Sequence, residues 1–338
     1  MKISDDSYAI LLLCSDIATR NTDGDIKPYT TLQWSNLADR LVESRLTPSA
    51  LFRVSSAEIG NLLNLSHAEI QRIERLLSRA AKLGIELSNL NNKGIFALTR
   101  FDKEYPLALK NKLRKLAPPV LYYTGNLSLL GNKGVSIVGS REIDEAASKF
   151  TEQLSKRCTD DGLNIVSGGA RGVDSIAENV ANRSDGTTVI VVADSLEKKI
   201  RRKETRDAIM RKQSLILSAF RPDMPFQTYV AMERNKYVYA LSDFVVIISS
   251  DYNRGGTWAG ATENIRNRWV PMFVRKAEQI PQGNVNLLKT ENVHAITEQV
   301  INNRNVNMYE WFTSHSRDSD NIVSIRQLSL FDLAKSSG

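Results

Sequence analysis

Between residues 134 and 248, short apolar runs repeatedly end in glycine-rich turns, and each turn opens onto a helix-forming stretch. Val135–Val138 (VSIV) leads into Gly139-Ser140-Arg141 and a helix near Asp144–Thr159. Leu163–Val166 leads into Ser167-Gly168-Gly169-Ala170-Arg171-Gly172 and a helix from about Val173. Thr187–Val192, Ser214–Leu217 and the very apolar Phe244–Ile248 (FVVII) read as further buried strands. Strands apolar on both faces need cover on both faces. The alternation therefore predicts an α/β fold with a doubly wound, mostly parallel sheet.

The chain before this region reads as helical. In Ser66–Leu83, Ile70, Ile73, Leu76, Leu77 and Ala80 fall on one helical face. Ser66 with Glu69 forms a capping-box signature, and Gly84 is the expected stop. Ser55 or Ser56 caps a shorter helix near Ala57–Leu63. Residues 1–90 are thus expected to form a small all-helical domain. A loop at Asn91–Gly94 follows, and Tyr105-Pro106 and Pro118-Pro119 bracket a basic helix at Leu107–Leu116. The sheet domain is expected over 91–301, and the polar stretch over 302–338 reads as a flexible tail ending in a small apolar cluster.

With 42% hydrophobic and 25% charged residues, the 338-residue chain is neither largely disordered nor a membrane bundle. Ala9–Cys14 is too short to span a bilayer and follows Asp5 and Asp6, so neither signal peptide nor membrane segment is expected, and the location is expected to be cytoplasmic. Cys14 and Cys158, with the scattered His67, His294 and His315, make no disulfide framework or metal cluster. No metal and no cofactor is expected.

The chemistry is expected at the turns. In a doubly wound sheet the loops at the carboxyl ends of strands converge on one crevice. Glycines at Gly139, Gly168, Gly169, Gly255 and Gly256, with Ser140, Ser167 and Thr257, allow backbone N–H groups to approach an anion closely. Arg141 and Arg171 add guanidinium forks suited to phosphate. None of these turns fits the dinucleotide or P-loop spacing. Asp174, at a helix start, reads as a cap or loop-orienting acceptor. Glu263 is either an ordinary helix residue or a group acting on a sugar or water.

The net charge is +7, and Lys198–Lys212 carries eight basic against two acidic residues. That segment is either a solvated crossover face or a track for a phosphate backbone, with Lys198, Lys199, Arg201, Arg202 and Lys203 leading it. Arg234-Asn235-Lys236 sits among Phe226, Tyr229, Tyr237 and Tyr239, a mixture suited to single-stranded nucleic acid. Taken singly, each tyrosine reads as packing.

The chain resembles the DNA-processing protein A (DprA/Smf) family. The resemblance rests on Tyr105-Pro106, Pro118–Tyr122, Val135–Arg141, Ser167–Asp174, Arg234-Asn235-Lys236, Leu241-Ser242-Asp243, Gly255-Gly256-Thr257 and Gly283–Leu288, in the family's order. It implies an extended Rossmann-like domain, preceded by a sterile-alpha-motif-like helical domain. It further implies single-stranded DNA binding, homodimerisation and delivery of the strand to a recombinase, with no established catalytic step. Departures are Lys236 where the family has arginine, Glu178 after Ala177 where it has histidine, and Gly255-Gly256-Thr257 in place of Ser-Gly-Ser. The winged helix that many members carry at the C-terminus is expected to be missing. These departures point to a divergent branch such as the phage-defence or toxin–antitoxin partners.

Gln327-Leu328-Ser329-Leu330-Phe331 resembles the bacterial sliding-clamp-binding pentapeptide. The alternative is an amphipathic segment docking on its own domain. The preferred function is a non-catalytic single-stranded DNA-binding protein. A nucleotide-cleaving or nucleotide-sensing enzyme, with Glu263 as acid/base and Gly255–Thr257 as phosphate cradle, is the main rival, and an antitoxin-like regulator of a toxin partner is the third reading.

Overall fold

The computed structural model describes residues 3–19 and 26–316. By its internal contacts the chain divides into two units. One holds the residues up to Tyr105 together with Arg114–Tyr122; the other holds Pro106–Leu113 and continues from Tyr123.

The first unit contains helices α1 (Asp5–Cys14), α2 (Thr31–Glu43), α3 (Ser56–Leu62), α4 (His67–Leu77) and α5 (Ala80–Asn92), then strand β1 (Phe96–Thr99). Ser4, Thr30, Ser55 and Ser66 each cap a helix by accepting the amide three residues on. At Ser66 the full capping box forms. The expected single helix over 66–83 is broken at Ser78-Arg79, and Gly84 lies inside α5 instead of ending it. The buried stripe continues through Leu83, Leu87 and Leu90, and its burial outweighs the roughly 1 kcal/mol that a helical glycine costs. Asp102 ties β1 to α1, accepting from the Thr99 amide and from Ser7 Oγ, both at 2.6 Å. Strand β2 (Val120–Gly125) begins in this unit and ends in the next.

The second unit opens with α6 (Leu107–Leu113) and then alternates: β3 (Gly134–Val138), α7 (Glu145–Asp160), β4 (Asn164–Ser167), α8 (Val173–Arg183) and β5 (Thr188–Val191). The basic crossover forms two short helices, α9 (Leu196–Lys199) and α10 (Lys203–Met210), before β6 (Ser214–Ser218). Next come α11 (Thr228–Ala240), β7 (Phe244–Ile247), α12 (Gly255–Asn267) and β8 (Met272–Arg275). The unit closes with α13 (Gln282–Leu287), β9 (Val293–Ile296), α14 (Glu298–Asn302) and α15 (Met308–Ser316). The strands run in the order β6-β5-β4-β3-β7-β8-β9 with every neighbouring pair parallel, as the apolar runs predicted.

Both faces are covered. Val135 and Ile137 of β3 join Phe150 and Leu154 of α7 and Ala177 of α8 in one buried cluster. From the opposite face Ser136 Oγ donates to Val238 O of α11 at 3.0 Å. The order reverses at β3: the chain moves outward through β4, β5 and β6, then returns to place β7 on β3's other side. The carboxyl ends of β3 and β7 therefore flank a topological switch point. No helix among the described residues is long and apolar enough to cross a membrane.

The stretch from residue 302, expected as a flexible tail, contributes to this core as far as Ser316. Phe312 of α15 is fully buried, stacked 5.2 Å from Phe244 and packed edge-on 4.8 Å from Phe273. Asp161 accepts the Met308 amide at 2.7 Å and starts the helix. Residues 317–338, the rest of the expected tail, lie outside the described residues. Phe312→Ala is expected to lower the unfolding free energy by about 3–5 kcal/mol, the cost of an emptied aromatic site. Urea denaturation measures it; a change within about 0.5 kcal/mol would be the behaviour of a surface position.

Candidate nucleic-acid interface

The turn from β4 into α8 is shaped by three side chains beneath it. Gly172 has φ +83°, and a Cβ there would overlap the carbonyl oxygen of Ser140. Asp174 Oδ2 accepts from the amides of Gly168 (3.1 Å) and Ala170 (3.3 Å), so Asp174 acts as the loop-orienting acceptor. Ser167 Oγ accepts from the Gly169 amide at 3.0 Å and donates to Glu178 Oε1 at 2.7 Å. Glu178 Oε2 pairs in turn with Lys199 Nζ at 3.0 Å. On the neighbouring strands, Ser140 donates both its amide (2.9 Å) and its hydroxyl (3.2 Å) to Ser249 O, binding the β3 and β7 turns together. Asn235 Nδ2 donates to Gly256 O at 3.0 Å and holds the start of α12.

Arg234 reaches into the β4 turn from α11. The residue is 7% exposed, and its guanidinium lies so close to Gly168 that any Cβ there would overlap Nη1. Among the described residues its Nε has no hydrogen-bond partner. Burial lowers the pKa of this guanidinium, opposed by the charges of Asp174, Glu178 and Asp194. Burial pushes the Asp174 carboxyl up to about 6, with Arg234 and the two loop amides pulling the other way.

Two cavities lie at this carboxyl edge, of about 620 and 680 Å³, and Arg141, Ala170, Phe226 and Arg234 line both. Into the first the β3 turn sends Gly139, Ser140 and Arg141, α11 sends Arg234 and Asn235, and the start of α12 sends Gly255, Gly256 and Thr257. The second takes Gly168, Gly169 and Arg171 from the β4 turn and Lys199 and Arg202 from the crossover. Ser167 is buried and acts on the turn from below.

The expected basic track is only partly assembled here. Lys198, Arg201 and Lys203 line neither cavity. Lys199 lines the second, but it is largely buried in its pair with Glu178. Lys236 is likewise buried, paired with Glu233 at 2.9 Å, and lines neither cavity. Glu263 lines neither; burial raises its pKa, opposed by Lys236 and Arg266. The pentapeptide Gln327–Phe331 lies outside the described residues. Sequence reasoning missed Asp194 and Asp251, which also line the cavities, as does Arg254 at the head of the third glycine turn. Their signal was available, because each follows the carboxyl end of an apolar run.

Residues 96–304 match the family model described as DNA recombination-mediator protein A. The DNA processing protein DprA of Bacillus subtilis is 26% identical over 227 residues, covering 63% of this chain and 75% of that protein. Protein Smf of Synechocystis is 30% identical over 179 residues, 51% of this chain and 44% of that protein. The fold is similar to the solved DprA of Streptococcus pneumoniae, with a TM-score of 0.64 at 20% identity over 88% of this chain and 95% of that one. The DNA processing protein A of Helicobacter pylori, solved for its single-stranded DNA binding mode, gives a TM-score of 0.51 at 26% identity, covering 66% and 96% of the two chains.

Because the Asp174 carboxyl is held above its ordinary 3.8, the unfolded chain releases this proton first. Its contribution to stability therefore falls as pH rises from about 4 to about 6, and the cost is fully present above that window. Asp174→Asn keeps an acceptor for the loop amides and is expected to remove the fall. Relative to the parent, the variant gains up to about 3 kcal/mol between pH 4 and pH 7. Parallel urea titrations at the two pH values measure this; an unchanged difference would contradict the assignment.

Proposed function

This chain belongs to the DNA recombination-mediator protein A family, and on that footing we propose that it binds single-stranded DNA in DNA processing or recombination, without a catalytic step of its own. The observation that carries the reading is the second cavity. Six cationic side chains, those of Arg141, Arg171, Arg183, Lys199, Arg202 and Arg234, face three acidic ones, Glu178, Asp194 and Glu204, around a glycine turn. Strand phosphates would lie against the Gly168–Arg171 backbone, with the Arg234 guanidinium behind the turn and Arg171 and Arg202 in front. Phe226 (49% exposed) and Tyr229 (64% exposed) offer rings on which bases stack. Arg171 and Arg202 are exposed, and both supply charge without the desolvation that constrains Arg234.

The same reading includes a homodimer working in the cytoplasm and passing the strand to a recombinase, in a divergent setting such as phage defence or control of a toxin partner. It also includes docking of Gln327–Phe331 on a sliding clamp. The rival, nucleotide cleavage with Glu263 as acid/base, is less well supported because Glu263 lines neither cavity.

Anisotropy titrations with a labelled oligonucleotide test the main reading. Single strands are expected to bind more tightly than duplex, with affinity falling steeply as salt rises. Arg171→Glu is expected to weaken binding at least about tenfold and to reduce the salt slope by about one. Arg234→Glu is expected to weaken it further. Unchanged affinity in both variants would remove this cavity as the site. Separately, Leu330→Ala with Phe331→Ala is expected to abolish a clamp complex in size-exclusion chromatography; a complex that survives would refute the pentapeptide's role.

A further inference from the structure

Lys199 is one of the cations lining the second cavity, but its ammonium is already engaged. The residue is 9% exposed, and Nζ donates to Glu178 Oε2 at 3.0 Å; Glu178 is itself 6% exposed. Short helix α9, which carries the lysine, is held by its own contacts. Ser195 Oγ accepts the Lys198 amide at 3.2 Å and donates to Pro222 O at 3.1 Å, and Leu196 is fully buried. Nζ comes to rest against Gly169, where a Cβ would lie 3.5 Å from it and 3.7 Å from Glu178 Oε1.

These bonds have a fixed polarity. A carboxylate only accepts, and a hydroxyl has one proton to give. Ser167 therefore gives its proton to Glu178 Oε1 at 2.7 Å and keeps its lone pairs for the Gly169 amide at 3.0 Å. Glu178 serves two donors at once, Ser167 through one oxygen and Lys199 through the other. An uncharged amide at position 178 has one oxygen for both, so one donor loses its acceptor. Neither charge can be removed alone without cost: the carboxylate or the ammonium is then left buried and unpaired. Removing both together leaves neither of them, and a glutamine oxygen is free to accept from Ser167.

We propose that Lys199 is a positioning residue and not a phosphate contact: through Glu178 and Ser167 it fixes the Gly169 amide, and with it the turn against which the strand lies. The phosphates are met by Arg171 and Arg202, whose side chains are exposed. Within a strongly basic crossover, one lysine thus sets the shape of the site while its neighbour supplies charge. The proposal rests on the single-stranded DNA reading and divides the roles of the cations within it.

The test compares Lys199→Met, Glu178→Gln and the double variant with the parent, each as the full chain. Anisotropy over a salt series measures binding of a labelled all-thymine oligonucleotide, and hydrogen-exchange mass spectrometry follows the segment containing Gly169. Each single variant is expected to bind about five- to fiftyfold more weakly and to exchange that segment faster. For Glu178→Gln this runs against simple electrostatics, since losing an acid beside a polyanion favours binding. The double variant is expected to bind more tightly than either single one, with the parent's salt slope and with slow exchange restored. A double variant as weak as Lys199→Met, with a salt slope lower by about one, would make Lys199 a phosphate contact and overturn the proposal. Tighter binding by Glu178→Gln would overturn it as well. If a single variant fails to fold, the double variant decides by the same slope and exchange against the parent. If the parent binds no oligonucleotide, the strand reading falls and exchange alone judges the pair. Protection lost in the single variants and regained in the double upholds the positioning of the turn, and protection unchanged in the single variants overturns it.

Discussion

The burial of the Arg234 guanidinium behind the Gly168 turn is the interaction on which the candidate site depends. A cation taken out of water is tolerated only with compensating charge close by, and here Asp174, Glu178 and Asp194 supply it. The compensation in turn shapes the backbone. Asp174 holds the amides of Gly168 and Ala170, Glu178 holds Ser167, and Ser167 holds the Gly169 amide. Glycine at 168 is required by the guanidinium itself, which occupies the space of a side chain. Turn, carboxylates and arginine are therefore one assembly, and its Ala170 and Arg234 line both cavities.

This assembly also explains why a strongly basic segment contributes less free charge than its composition suggests. Lys199 closes the chain of bonds through Glu178, so its charge is already neutralised within the fold. Glu178 stands where the resembling family has histidine, and the lysine beside it meets the negative charge that this exchange brings. Lys236, the departure in the Arg-Asn-Arg triplet, is paired with Glu233 and faces neither cavity, so losing a guanidinium fork there leaves the lining unchanged. Among the described residues lining the cavities, the exposed cations left for a polyanion are Arg141, Arg171, Arg183, Arg202 and Arg254.

Much of the fold was legible because its signals are local. Apolar runs, two of them ending directly in glycine turns, located β3 to β7, and serine caps with amphipathic spacing located helices of the first unit. The failures were non-local. Gly84 reads as a stop, but the apolar stripe beyond it finds packing partners and the helix continues. The stretch after residue 302 reads as tail because its polar residues dominate the composition, while two positions, Met308 and Phe312, are fully buried. Strands β8 and β9 did not stand out from their loops because Arg275 closes the first and His294 interrupts the second, so neither reads as a continuous apolar run.

The sequence by itself determined a parallel sheet with glycine-rich turns at its carboxyl edge, because strand apolarity, glycine placement and helix caps act over a few residues. It also pointed to Arg141, Arg171 and Arg234 as the cations at those turns. Only the tertiary structure decided which charges remain available, turning Lys199 and Lys236 inward to acidic partners and leaving Arg171 and Arg202 outside. It alone separated a cation-rich cavity from one whose charged lining is balanced. Burial and pairing depend on what the chain brings together from distant positions, and a count of basic residues along a segment carries no record of that.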